Sequence, residues 1–274
     1  MYTIEVLVED YCPISGLLGE HGLSILIEQG DTRILFDVGQ SYRVLKNNSE
    51  KMKVNLNDVS LIVLSHCHYD HTGGLLGLIK DIGGRTIVAH PSVFRESFAI
   101  DGTLRYVGIP FKRRILEDAG ANLLLCKNYV KIAENIYVSG EVKRYYPDYE
   151  RIEKMYTVDN GMLARDHMYD DISLIIRDGD EISIITGCSH PGIVNIVKHC
   201  LEVTQAKSVK AVIGGLHLLG LDRMQVKEIA NKLLELGVEK IYAGHCTGFE
   251  ALCVLSETFK ENFKRIYCGA VIKL

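Results

Sequence analysis

Short apolar, β-branched runs recur from the first residues onward: Ile4 to Val8, Leu23 to Ile27, Ile34 to Phe36, Leu61 to Leu64 and Thr86 to Ala89. Turn residues such as Gly30-Asp31 and Gly83-Gly84 part them, so the first third of the sequence reads as strands. The second half repeats the pattern with Ile172 to Ile176 and Ile182 to Ile185, joined by the hairpin turn Arg177-Asp178-Gly179-Asp180, then Lys210 to Ile213 and Lys240 to Tyr242. Helical stripes lie between them. Val226, Ile229, Leu233 and Leu236 share one face, with Gly237 as a stop. Ala251, Leu252, Leu255, Phe259 and Phe263 form a second stripe, and Pro191 is expected to open a third helix carrying Ile193, Val194, Val197 and Leu201. Alternating strands and helices predict a layered α/β architecture with helices outside sheets. The stretch from about Pro91 to Asp170 has mixed signals, rich in Tyr and charge, and reads as an insertion over the face of a single domain spanning 1–274.

Composition bounds the function. With 47% hydrophobic and 24% charged residues over 274 positions, the chain has material for a real core and is not a disordered sequence. Lys+Arg 31 against Asp+Glu 35 gives a net charge of −4, so the basic excess expected of a nucleic-acid binder is missing. The expected partner is a small molecule, with no nucleic acid and no membrane; the oligomeric state stays open. No signal-peptide pattern opens the sequence and no apolar run reaches the roughly 18 residues of a membrane span, which predicts a cytoplasmic protein. Eight scattered cysteines without a C-x-x-C pair fit reduced thiols rather than a disulfide framework or zinc ribbon.

The sharpest chemical signal is Leu64-Ser65-His66-Cys67-His68-Tyr69-Asp70-His71-Thr72-Gly73-Gly74, directly after an apolar strand. Three imidazoles and a carboxylate within six positions are ligands dense enough for two metal ions. His66 and His68 can converge on one ion while Asp70 and His71 turn toward a second. The competing view, a polar turn whose histidines bond to backbone, would bury many titratable groups at a cost.

H-x-H-x-D-H after an apolar strand resembles the metallo-β-lactamase superfamily. The resemblance implies an αββα sandwich with a dinuclear metal site at the sheet edges, and the insertion of about 91–170, by its position between the two ligand-bearing halves, is expected to lie over the active-site face. Ile34-Leu35-Phe36-Asp37-Val38-Gly39 is similar to the superfamily strand ending in Asp-x-Gly, which makes Asp37 the carboxylate that supports the metal loop from behind. Two further ligands are then expected from strand ends in the second half: His190, within Thr186-Gly187-Cys188-Ser189-His190-Pro191-Gly192, joining His66 and His68, and His245, within Ala243-Gly244-His245-Cys246-Thr247-Gly248, joining Asp70 and His71. Many superfamily members carry a metal-bridging Asp after Thr-Gly, where this sequence has Cys188; His167 is the alternative first-metal ligand, and Cys188 is expected as a thiol beside the second metal. These motifs, with Gly214-Gly215-Leu216-His217-Leu218 and Ser139-Gly140-Glu141-Val142-Lys143-Arg144, resemble the branch of dihydropterin-ribofuranosylaminobenzene phosphate synthase-like metal-dependent hydrolases.

The resemblance implies two divalent ions, with zinc expected and manganese or iron open, activating a water for attack on a phosphoester, thioester or lactone. Asp70 is the candidate to orient that water or accept its proton, and His217 to act as a substrate-facing acid or ligand. Arg144 is the candidate phosphate grip. Tyr145, Tyr146 and Tyr149 read as packing for the insertion, with a stacking wall for a flat ring as the alternative, and His21, His90 and His199 read as structural or surface residues. The function expected is a dinuclear hydrolase of a small phosphorylated or cyclic metabolite. The alternatives are a synthase that joins a dihydropterin to an aminobenzene ribofuranosyl phosphate and a non-catalytic effector-binding protein.

Overall fold

The structure is a computed structural model describing residues 1–274. It resolves into two compact units: 1–126 with 153–170 and 267–274, and 127–152 with 171–266.

The first unit is built on a seven-stranded sheet. Its spatial order is Val271–Lys273, Thr3–Val8, Ser24–Gln29, Thr32–Phe36, Leu61–Val63, Thr86–Ala89, Asn122–Leu125. Pairing is antiparallel up to Thr32–Phe36 and parallel beyond it. The apolar runs foreseen from the sequence are the central strands, and Ile34, Leu35, Phe36, Ile62 and Val63 are wholly buried. Helices Tyr42–Met52 and Leu75–Ile82 lay Val44, Leu45, Leu75, Leu78 and Ile79 into the core that holds Leu26, Leu35, Ile62 and Ile87. Each fully buried Leu or Ile contributes about 1.5–3 kcal/mol relative to exposure. A separate four-stranded antiparallel sheet runs Met162–Arg165, Met155–Asp159, Ser97–Asp101, Thr103–Tyr106.

The second unit has its own seven-stranded sheet, in the order Phe263–Arg265, Val238–Gly244, Ser208–Gly215, Glu181–Thr186, Leu174–Asp178, Ile136–Val138, Val130–Ala133. The first four are mutually parallel, and Leu174–Asp178 pairs antiparallel with Glu181–Thr186 through the expected Arg177–Asp180 hairpin. Helices Ile193–Thr204, Arg223–Glu235 and Phe249–Phe259 bury Val194, Val197, Ile229, Leu233 and Leu255 with Ile184, Val212 and Ile241 of the sheet. Gly237 ends the second of these helices as foreseen: its φ is +79°, and its N–H donates to Leu234 O at 3.0 Å. The helix Ile193–Thr204 does not open at Pro191. It begins at Ile193, because Gly192 precedes it with φ +85°, outside the helical region.

The stretch 91–170 is shared between the units. It supplies Asn122–Leu125 and the four-stranded sheet to the first, and Val130–Ala133 and Ile136–Val138 to the second. No helix is long and apolar enough to cross a membrane.

Candidate metal centre

In the first unit, Phe36 and Val63 lie side by side in parallel register, so the residues that follow each strand leave the sheet at the same level. Asp37 follows one strand and the His66–His71 loop follows the other. Asp37 is wholly buried and adopts φ +58°. Its carboxylate accepts from Ser65 N at 2.7 Å, Ser65 Oγ at 2.6 Å and His71 Nδ1 at 2.7 Å. A carboxylate with three donors fixes protons on its neighbours: His71 keeps hydrogen on Nδ1, so Nε2 is the nitrogen that becomes a lone-pair donor when the ring is neutral. Ser65 Oγ gives its only proton to Asp37, so at 2.8 Å it must accept from His66 Nδ1, which assigns Nε2 as the His66 donor as well. Asp37 thus ties together Ser65 and His71 of the loop.

The loop closes tightly on itself. The rings of His66 and His68 lie 4.6 Å apart and those of His66 and His71 4.3 Å apart, while His71 Nε2 is 3.4 Å from Asp70 Oδ2. All four residues are buried. Burial alone would lower the His71 imidazole, but the carboxylates of Asp70 and Asp37 overcome it and raise the pKa to about 9. Gly73 and Gly74 are required for this close approach: a Cβ at Gly73 would stand 2.2 Å from Gln40 O, and one at Gly74 2.3 Å from Val38 O.

Three groups around the loop carried no sequence signal. His21, read as a structural or surface residue, places Nε2 3.5 Å from Asp70 Oδ2 and Nδ1 3.0 Å from Asp10 Oδ2. Asp170 accepts from Cys67 N at 2.8 Å and pairs with Arg95 Nη1 at 2.6 Å. Arg95 also binds Asp166 at 2.8 Å. This buried Arg–Asp network holds the loop backbone from the other side.

In the second unit, Thr186 pairs with Gly214 and Gly215 with Gly244, so three loops leave adjacent parallel strand ends: Gly187–His190, Leu216–His217 and His245–Thr247. Such strand ends are where α/β sheets carry their sites. Asp171 accepts both the His190 backbone N–H at 2.7 Å and its Nδ1 at 2.8 Å, leaving Nε2 as the donor. The rings of His190 and His217 are 4.4 Å apart, and Cys188, His190 and His217 each offer a donor atom within 4.8 Å of the others. Ser189 (φ +68°), His217 (φ +49°) and His245 (φ +51°) all adopt left-handed backbone, which in non-glycine residues costs about 1–3 kcal/mol each and marks functional loops. Burial would raise the Cys246 thiol, but contact with Cys188 and the imidazoles of His245 and His217 pulls it well below its ordinary value.

The first unit therefore gathers Asp37, His66, His68, Asp70 and His71, and the second gathers Cys188, His190 and His217, with His245 beside Cys246. Buried imidazoles whose donor nitrogens are fixed by carboxylates, together with a carboxylate and a thiol, suit divalent transition metals. His167 is exposed and its ring lies against Tyr169; its neighbour Asp166 is the buried residue. Arg144 donates to Val142 O at 2.8 Å and pairs with Glu150 at 3.3 Å, whereas Glu141 pairs with Lys127. Tyr145 and Tyr146 are tied through their backbone N–H groups to Asn195, and Tyr149 donates to Glu228, as packing residues would be. His199 binds Ser139 O and His90 caps the turn Pro91–Phe94, both structural as foreseen. All eight cysteines are free thiols.

Comparison with known proteins gives the family. The family pattern of the metallo-β-lactamase superfamily matches residues 18–107. The chain is 37% identical to the 7,8-dihydropterin-6-methyl-4-(β-D-ribofuranosyl)-aminobenzene-5′-phosphate synthase of Methanocaldococcus jannaschii, over 98% of this chain and 96% of that protein. It is 35% identical to an uncharacterised protein of the same organism, over 98% and 99% of the two chains. The crystal structure of a metal-dependent hydrolase of the β-lactamase superfamily superposes with a TM-score of 0.86 at 27% identity, covering 100% of this chain and 99% of the other. The chain belongs to the metallo-β-lactamase superfamily. Within it, the chain is similar over nearly its full length both to that synthase and to that metal-dependent hydrolase.

Proposed function

We propose that the protein is a dinuclear metal-dependent hydrolase of a small phosphorylated or cyclic metabolite, with His66, His68 and His190 serving one ion and Asp70, His71 and His245 the other. The observation that carries this reading is the buried loop in which Asp37, directly and through Ser65, fixes the protons of His71 and His66 on Nδ1 and so presents both Nε2 atoms as ligands. Divalent ions there, with zinc expected and manganese or iron as alternatives, would supply Lewis acidity and bring the pKa of a water toward neutrality. The chain's own groups do the rest. Asp70 orients the water and takes its proton, and His21 stands 3.5 Å behind that carboxylate on Asp10. His217, beside the His190 ring, serves as a substrate-facing acid or a further donor. Arg144 grips a substrate phosphate, and the stretch 91–170 covers the substrate. The cytoplasm is the expected compartment.

A second reading, condensation of a dihydropterin with an aminobenzene ribofuranosyl phosphate, is favoured by the 37% identity to the synthase over nearly the full length. One experiment separates them. Metal-loaded protein is offered phosphodiester, thioester and lactone substrates, and in parallel the pterin and aminobenzene pair, with His68→Ala as control. Hydrolysis of one substrate class, abolished in His68→Ala, is the expected result. Condensation without hydrolysis selects the second reading, and no turnover in either arm overturns both.

A further inference from the structure

We infer that Cys12 and Cys268 are a reversible redox-modification site, two thiols from opposite ends of the chain that a peroxide joins as a disulfide, pinning the loop 9–22 to the segment 266–270. The inference is independent of what the metal loop turns over. Folding brings the two cysteines together within the first unit. Cys268 N donates to the carbonyl oxygen of Tyr11, the residue bonded to Cys12, at 2.9 Å. With standard bond lengths this contact keeps the two Cα atoms no more than about 7 Å apart, at the outer edge of disulfide reach or inside it. The side chains converge as well. Cys268 Sγ lies 3.1 Å from Glu9 O and 3.4 Å from Leu18 O, and a Cβ added at Gly19, next to Leu18, would stand 3.1 Å from Cys12 Cβ. The two thiols are near enough to hydrogen-bond each other.

Their surroundings divide the chemistry between them. Cys268 is buried, and burial pushes its thiol up to about 12, with the neighbouring Cys12 thiol adding to the shift. Cys12 is partly exposed, and its Sγ has only a weak contact with Ile14 O at 3.9 Å. Cys12 therefore meets the oxidant and Cys268 waits as the resolving thiol. The Cys12 sulfur attacks one oxygen of hydrogen peroxide, the O–O bond breaks, and a water leaves behind a sulfenic acid. The Cys268 sulfur then attacks Cys12 Sγ, the S–O bond breaks, and the departing hydroxide takes the Cys268 proton as a second water. Two thiols lose two electrons, the peroxide gains them, and a dithiol reductant reverses the bond.

The loop that the bond would pin lies directly against the C-terminal segment: a Cβ at Gly269 would stand 2.6 Å from Ile14 Cδ1 and 2.8 Å from Leu17 Cδ1. The same loop carries Asp10, whose carboxylate accepts from Gly22 N at 3.2 Å and contacts His21 Nδ1 at 3.0 Å. A cross-link at Cys12 closes nearly the whole chain into one covalent loop, the geometry in which a disulfide most constrains the unfolded state.

The test uses the full-length protein, reduced, freed of reductant and exposed to a slight excess of hydrogen peroxide without denaturant. Remaining thiols are then alkylated and the digest is mapped by mass spectrometry without reduction. The expected product is a linked Cys12–Cys268 peptide pair, with two of the eight thiols lost and both recovered on treatment with dithiothreitol. Oxidation should raise the melting temperature by roughly 4–16 °C, the shift expected of a typical disulfide in a chain of this size, and dithiothreitol should abolish the gain. Cys12→Ser and Cys268→Ser should each lose both the linked pair and the gain. Cys12 is partly exposed, so Cys12→Ser keeps the comparison readable if Cys268→Ser folds poorly. Cys12 recovered as sulfinic acid with Cys268 still free, or a link found at Cys188–Cys246 instead, overturns the site. A Cys12–Cys268 link that leaves the melting temperature unchanged overturns the pinning of the loop.

Discussion

Replacing Asp37 by Asn keeps the size of the side chain and removes the charge that orders the metal loop. The amide oxygen can still accept from Ser65 N, now 2.7 Å away, and Ser65 Oγ can turn to accept from the new NH2 group. The amide NH2 also faces His71 Nδ1, at 2.7 Å, and two donors cannot share that contact. The imidazole relieves the clash by moving its proton to Nε2, the atom required as a ligand. Loss of one hydrogen bond to a charged group costs about 1.5–3 kcal/mol. At about 2–4 °C per kcal/mol, the metal-free protein should melt roughly 3–12 °C lower. Metal affinity should fall about 10–100-fold, as for the loss of an outer partner of a ligand. Thermal unfolding without metal and competition with a chromophoric chelator measure the two effects. Wild-type affinity in Asp37→Asn, with stability within about 0.5 kcal/mol, would refute the assigned proton positions.

The raised pKa of His71, about 9 against an ordinary 6.5, gives the metal-free protein stability that is fully present below 6.5 and lost as pH rises through 9. It amounts to roughly 3 kcal/mol in denaturant titrations, and a flat profile across that window would contradict the buried His71–Asp37–Asp70 cluster. Because that proton must leave before His71 can ligate, metal affinity should rise about tenfold per pH unit from 7 toward 9. Arg95→Met should destabilise by about 3–5 kcal/mol, since Asp166 and Asp170 keep their buried charge without a partner; a loss under about 1 kcal/mol in denaturant titration counts against the network. Arg144→Ala should weaken turnover of a phosphorylated substrate by about 1.5–3 kcal/mol and spare its unphosphorylated form, whereas equal effects on both reject the phosphate grip.

Much of the fold was legible because buried parallel strands read as continuous apolar runs, as at Leu61 to Leu64. Helix Tyr42–Met52 was not. Its eleven residues bury only Val44, Leu45, Asn48 and Ser49, and two of those are polar. Asn48 sits in the core because its side-chain NH2 group donates to Leu7 O and Leu18 O, partners no local pattern announces. The loop His66–His71 was legible because four donors crowd into six positions. The groups that orient and flank the donors were only partly so. Asp37 showed itself through a strand-end motif, whereas Asp171 lay in an unremarkable Asp-Asp pair and reaches His190 through tertiary structure. His21 meets Asp70 only because the loop before Leu23 folds back, Leu23 N donating to Asp70 O at 3.3 Å.

The most direct test of the account is the metal content of the full-length protein, measured by elemental analysis as purified and after reconstitution with zinc, manganese and iron(II). The donor sets described above predict about two ions per chain, with content and activity lost together in His68→Ala. A reconstituted protein that is folded and carries no transition metal would contradict it.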